Sequence, residues 1–134
     1  MELFFQTGVL QWVIALYIGS AVLALVVEYW LRDGRLANRC AHAGAFIASL
    51  LLVLFSAGVF LSGEGRALLY ATPFPGVSFV FRVDGLAAFF LGLIGTVAAL
   101  ASVYGIAYQE HFSGKYALGP FGFFYNLFLL GMVL

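Results

Sequence analysis

The chain has 134 residues, 64% hydrophobic and 9% charged, with six basic and six acidic side chains and no net charge. An average soluble domain is roughly 25% charged, so these charges cannot clothe a water-facing exterior, and the solvent this composition calls for is lipid. The charge balance offers no basic stripe, so nucleic acid is not an expected partner. The single cysteine, Cys40, excludes an internal disulfide. Met1-Glu2-Leu3-Phe4-Phe5 has no basic n-region, so a cleaved signal peptide is not expected.

The pattern predicts an all-α integral membrane protein: three complete transmembrane helices plus a truncated fourth, and a short extended segment at the outer surface. Span 1 covers about residues 9–30, uncharged from Trp12 to Val27, with Trp12 and Tyr29/Trp30 as interfacial aromatics. Residues 31–42, with Arg32, Asp33, Arg35 and Arg39, read as a short wet connection broken by Gly34. Span 2 covers 43–62 without a charge. In 63–84, Glu64 and Arg66 mark an interface and Thr72-Pro73-Phe74-Pro75-Gly76 is a turn signal. Val77, Phe79, Phe81 and Val83 then alternate with Ser78, Val80, Arg82 and Asp84, which reads as an extended segment on the membrane surface. Its backbone groups would go unpaired in lipid.

Span 3 covers 85–108. At about 100° per residue, Ala88, Gly92, Gly95, Ala99 and Ser102 share one side, and Phe90, Leu93, Val97, Leu100 and Tyr104 the other. Membrane helices meet through small residues that let backbones approach, so the first side is the expected packing face. Residues 109–119 form a polar connection with Glu110, His111 and Lys115. Pro120 suits the first turn of span 4, residues 120–134. Those fifteen residues reach only about 22 Å, short of the ~30 Å hydrocarbon core. Residues 1–134 are therefore expected to form an N-terminal transmembrane region, as an N-terminal fragment, a split gene product or the ordered part of a longer polypeptide.

Few side chains carry chemistry. Asp84 continues the small-residue side of span 3, which would point it into a bundle as a proton-path or ion-pair group with Arg82. The other reading makes it a helix cap before Gly85-Leu86. Glu28 and Arg32 are spaced for an i,i+4 pair. His42 and His111 fall in polar connections, and no metal-ligand spacing is present. Asn126 is expected to bond a neighbouring helix. No catalytic residue and no cofactor are assigned.

The stretch Phe81-Arg82-Val83-Asp84-Gly85-Leu86-Ala87-Ala88-Phe89-Phe90 resembles the third-helix signature of the antiporter-like proton-translocating membrane subunits. That family comprises the large membrane subunits of respiratory complex I, of formate hydrogenlyase and membrane-bound hydrogenases, and of multisubunit cation/proton antiporters. Ser102-Val103-Tyr104-Gly105-Ile106-Ala107-Tyr108 is similar to the end of that helix, and Gly122-Phe123-Phe124-Tyr125-Asn126-Leu127-Phe128-Leu129-Leu130-Gly131-Met132 to the start of the fourth. The likeness runs over about residues 77–134 and is nearest the hydrogenase branch. Residues 1–76 match only in having two spans and a surface segment. The resemblance implies a subunit of a redox-driven proton-translocating complex, with lipid and other membrane subunits as partners, in the inner or plasma membrane of the cell. The alternatives are a cation/proton antiporter subunit, or a small membrane scaffold or assembly protein. Asp84 matches a family acidic position, and Lys115 stands where a basic residue often precedes the fourth helix. The family's transport glutamate and lysines fall on later helices.

Lysine and arginine counts set the expected orientation. Arg32, Arg35, Arg39 and Lys115 lie on one side, Arg66 and Arg82 on the other. The excess places the N-terminus outside and residues 31–42 in the cytoplasm. Cysteines introduced at Asn38 and Ala71 should label from opposite sides, Ala71 from outside. Labelling of Asn38 from outside alone would reverse the assignment.

Overall fold

The computed structural model describes residues 2–63, 66–71 and 78–134. Four helices and a two-stranded hairpin follow in the order α1 (Glu2–Leu31), α2 (Gly34–Ser62), β1 (Arg66–Ala71), β2 (Ser78–Val83), α3 (Gly85–Glu110) and α4 (Leu118–Val133). Gly8–Leu31 of α1, all of α2 and all of α3 are long and apolar enough to cross a membrane, and α4 is a shorter apolar helix. The protein is a multi-pass helical membrane protein. Large side chains on the outward faces, among them Trp12, Leu54, Val97, Leu100, Phe124 and Phe128, are more than half exposed. An apolar sheath this continuous requires a lipid solvent.

The connection between the first two helices is tighter than expected. Asp33 caps α2 by accepting from the backbone N–H groups of Arg35 (3.0 Å) and Leu36 (3.1 Å). Gly34 does not break the helix; it is the first residue of α2. The break sits at Arg32, whose φ of 51° is left-handed. That conformation costs a non-glycine residue roughly 1–2 kcal/mol. Residues 34–42 are therefore helical, and α2 at 29 residues runs about 43 Å, well beyond the hydrocarbon thickness. Local polarity hid this, because Arg35 and Arg39 are exposed at a helix end while Asn38 between them and Ala41 and His42 just beyond are buried.

The surface segment also differs. The expected extended stretch at 77–84 contains β2, which pairs antiparallel with a strand not anticipated, β1, in the register Arg66↔Val83 to Ala71↔Ser78. The RALLYA sequence of β1 lacks a period of two, and pairing, not propensity, makes it a strand. Backbone groups near lipid need partners, and β1 supplies them. The turn signal Thr72–Gly76 and Glu64 lie outside the described residues.

Helix α2 is the hub, packing against α1, α3 and α4, while α1 also packs on α4. Its inner face carries Ala37, Ala41, Ala45 and Ala48, all with no exposed surface, alternating with Asn38, His42, Ser49, Leu52 and Ser56. Against it lies the small-residue side of α3. Ala88, Gly95 and Ser102 are buried, Gly92 and Ala99 partly so. A Cβ on Gly95 would sit 2.9 Å from both the Ser49 carbonyl oxygen and Val53 Cγ2. Ser56 Oγ donates to the Ala88 carbonyl across the same contact. The buried stripe continues to Gly105 and Gln109, further than the expected face.

Full burial of Asn38 makes it a poor labelling site, and the exposed Leu36 serves better. Gly95→Leu should cost on the order of 3 kcal/mol through overpacking, whereas Val97→Leu, on an exposed face, should cost almost nothing. Thermal unfolding in detergent compares the two, and equal midpoints would contradict the packing contact.

Candidate functional site: a polar seam among four helices

Asp84 does not enter the bundle. It is exposed, and its carboxylate accepts from the Ala87 N–H at 2.8 Å as the N-cap of α3. Its backbone is extended (φ −95°, ψ −177°), so the helical wheel that assigned it inward does not apply to it. Arg82, on β2, is exposed and forms no ion pair with Asp84. The ion pair among the described residues is Arg39–Glu110, 2.5 Å, between α2 and α3. Both partners are partly in water, so screening leaves the pair a small net contribution to stability.

Glu28 reaches elsewhere than Arg32. Its Oε2 accepts from the Gly119 N–H at 2.8 Å, across from α1 to the first turn of α4. The N-cap of α4, Ala117, has no side chain able to accept, so a carboxylate from another helix takes the free N–H and faces the positive end of the helix dipole. Three helix starts are thus each met by an acid: Asp33 for α2, Asp84 for α3 and Glu28 for α4.

The buried polar groups converge along α2. His42 lies eight residues into that helix and is buried. Its ring stacks on Tyr125 of α4 at 4.8 Å between centroids, and its Nδ1 is 3.0 Å from the Asn38 carbonyl oxygen. On its other side stands Gly105 of α3, where an added Cβ would overlap the imidazole. The placement of His42 in a polar connection is therefore corrected: bounding the second span at 43 excluded the one histidine inside the bundle. His111, by contrast, ends α3 and is exposed.

Around His42 the hydroxyls and amides tie helix to helix. Ser49 Oγ donates to the Ala45 carbonyl (2.7 Å), so the Tyr17 hydroxyl on α1 is the donor to Ser49 Oγ (2.8 Å). Ser102 Oγ of α3 likewise donates to Ala98 O (2.7 Å), leaving the Tyr125 hydroxyl of α4 to donate to Ser102 Oγ (2.9 Å). Asn126 is fully buried. Its amide donates to Ala41 O (3.1 Å) and Gly122 O (2.9 Å), and its Oδ1 lies 2.8 Å from Ser20 Oγ, whose one proton is shared with the Leu16 carbonyl (2.6 Å). Asn38 donates to Ile106 O (3.1 Å). Asn38 Oδ1 and Gln109 Oε1 are buried with no partner among the described residues.

These chains of bonds end on backbone carbonyls: Ala45, Ala98, Ala41, Gly122 and Ile106. A carbonyl accepts and cannot donate, so a proton arriving there goes no further. The seam is chemically a set of interhelical ties with one imidazole in it, that of His42. The helical spacing of Ala37, Ala41, Ala45 and Ala48 could have revealed it, since that ladder marks the face on which Asn38 and His42 sit.

The fold and seam define a multi-pass helical membrane protein whose helices are joined by small-residue contacts and buried hydrogen bonds. No family model matches the chain. It is similar to hydrogenase-4 component B of Escherichia coli (strain K12), 26% identical over 124 residues, covering 92% of this chain and 18% of that protein. The chain thus spans less than a fifth of that relative's length. The similarity extends over most of residues 1–76 as well, wider than the 77–134 stretch on which the family resemblance was read.

Asn126→Leu should lower stability by about 2 kcal/mol, because three bonds are lost at roughly 0.6 kcal/mol each. Phe124→Leu, on the exposed face of the same helix, is the control. Unfolding by a denaturing detergent, followed by circular dichroism, should separate the two variants, and indistinguishable curves would remove the seam's role as a tie.

Proposed function

We propose that the chain is the N-terminal part of a membrane-arm subunit of a redox-driven proton-translocating complex of the hydrogenase type. In this reading it is the part that anchors and packs, not the part that conducts. The observation that carries it is the likeness to hydrogenase-4 component B over 92% of the chain. That likeness favours the hydrogenase type over a cation/proton antiporter subunit and over a stand-alone scaffold. The outward apolar faces suit lipid and further membrane subunits as partners, in the cell membrane with the N-terminus outside. Asp84 and Arg82 serve at the surface end of α3, with Asp84 as a cap, and the Ala88, Gly92, Gly95, Ala99 and Ser102 face serves assembly.

The hydrogen-bond endings explain the lack of conduction. Moving a charge through hydrocarbon needs a continuous file of ionisable groups or waters. Within the membrane-crossing parts of the bundle, His42 is the buried titratable base, and its Nδ1 meets the Asn38 carbonyl. A tagged copy extracted in mild detergent from membranes of cells making such a complex should bring down partners with an iron–sulfur signature by electron paramagnetic resonance. Recovery of the chain alone would overturn the assignment.

The 134-residue chain reconstituted with a pH-sensitive dye and an imposed gradient should pass protons no faster than empty liposomes. Flux abolished by Asp84→Asn or His42→Ala would show instead that this region conducts.

A further inference from the structure

We propose that the end of the bundle where α1 turns into α2 and α3 into α4 binds an anionic phospholipid, its headgroup in a basic pocket and an acyl chain along the α1–α4 groove. The inference needs only that the chain spans a bilayer and does not depend on the reading as a hydrogenase-type subunit.

An open pocket of about 680 Å³ lies between the turn at 31–35 and the connection at 113–117. Its cations are Arg32, Arg35 and Lys115, and its acids are Glu28 and Asp33. Both acids are already engaged, Glu28 with the Gly119 N–H and Asp33 with the N–H groups of Arg35 and Leu36. None of the three cations forms an ion pair among the described residues, although Arg35 gives its Nε to Ser113 Oγ at 2.8 Å. The left-handed backbone of Arg32 (φ 51°) belongs to the strained conformations that gather at ligand sites.

A second pocket of about 810 Å³ shares Glu28, Arg32 and Ala117 with the first and runs on along Leu25, Tyr29, Trp30 and Pro120. Tyr29 and Trp30 are among the most exposed aromatics of the chain and sit where an interfacial belt is expected. The two pockets therefore make one continuous surface, cationic at its water end and apolar at its lipid end. A soluble anion fills only the first part and an uncharged lipid suits only the second. A molecule with a phosphate and an acyl chain matches both, and basic pockets between membrane helices are suited to anionic headgroups.

Native mass spectrometry of the purified chain tests this with phosphatidylglycerol, phosphatidylcholine and inorganic phosphate as separate probes. Phosphatidylglycerol should be retained over phosphatidylcholine by at least about fivefold, the weight of one basic residue near an anionic surface, and inorganic phosphate should not compete at matched concentration. Arg32→Gln with Lys115→Gln should abolish the preference while leaving the far-ultraviolet circular dichroism unchanged. Should the double variant misfold, Lys115→Gln alone, in an exposed connection, must still reduce the preference by several-fold. Equal retention of the two lipids, a preference that survives the substitutions, or displacement by phosphate at matched concentration would each overturn the proposal.

Discussion

The alanine face of α2 is the constraint from which the rest follows. Ala37, Ala41, Ala45 and Ala48 have no exposed surface, and with only a methyl group at each position the helices facing them can approach until backbone carbonyls come within reach of short side chains. In lipid there is no hydrophobic gain from pairing one apolar helix with another, so close packing and hydrogen bonds must hold the bundle. Asn126 can reach Ala41 O only because Gly122, one turn earlier on α4, stands against the Ala41 methyl; an added Cβ there would lie 2.5 Å from it. Widening that gap by one methyl group would separate the amide from its acceptor.

The same close approach explains why the polar side chains act as ties. Two short hydroxyls in the seam satisfy a carbonyl one turn back in their own helix, Ser49 with Ala45 and Ser102 with Ala98. The longer tyrosines then bond to those oxygens from a neighbouring helix. Apart from Asn38 Oδ1 and Gln109 Oε1, the buried polar side-chain atoms described find their partners within the bundle, which suits a medium that offers none. Such a network fixes register, and its terminal acceptors are backbone oxygens, which cannot donate.

The acids tell a parallel story at the ends. Asp33, Asp84 and Glu28 all occupy helix N-termini, where free N–H groups and the positive end of the dipole favour a carboxylate. Two of them cap the helix that immediately follows in sequence. The third, Glu28, joins the end of α1 to the start of α4, and the turn at 31–35 and the connection at 113–117 come together beside it. This junction brings Arg32, Arg35 and Lys115 around one pocket although Lys115 is far from the other two in sequence.

The sequence alone determined the solvent and the number of long apolar helices, because composition and helical spacing are local and survive without knowledge of neighbours. It also held two readings of Asp84, cap and interior charge, and only the extended backbone before Gly85 decided between an exposed and an inward carboxylate. What depended on partners was hidden. The strand β1 exists because β2 pairs with it, and its own residues show no strand period. Glu28 has a correctly spaced cation one turn on, yet bonds to a residue 91 positions away. His42 sits beside exposed arginines in the sequence, and its burial against Tyr125 and Gly105 arises from two helices that come later in the chain. Local spacing fixes which face of a helix is small or apolar; which groups meet across that face is set by how three other helices stack on α2, and only the tertiary structure holds that.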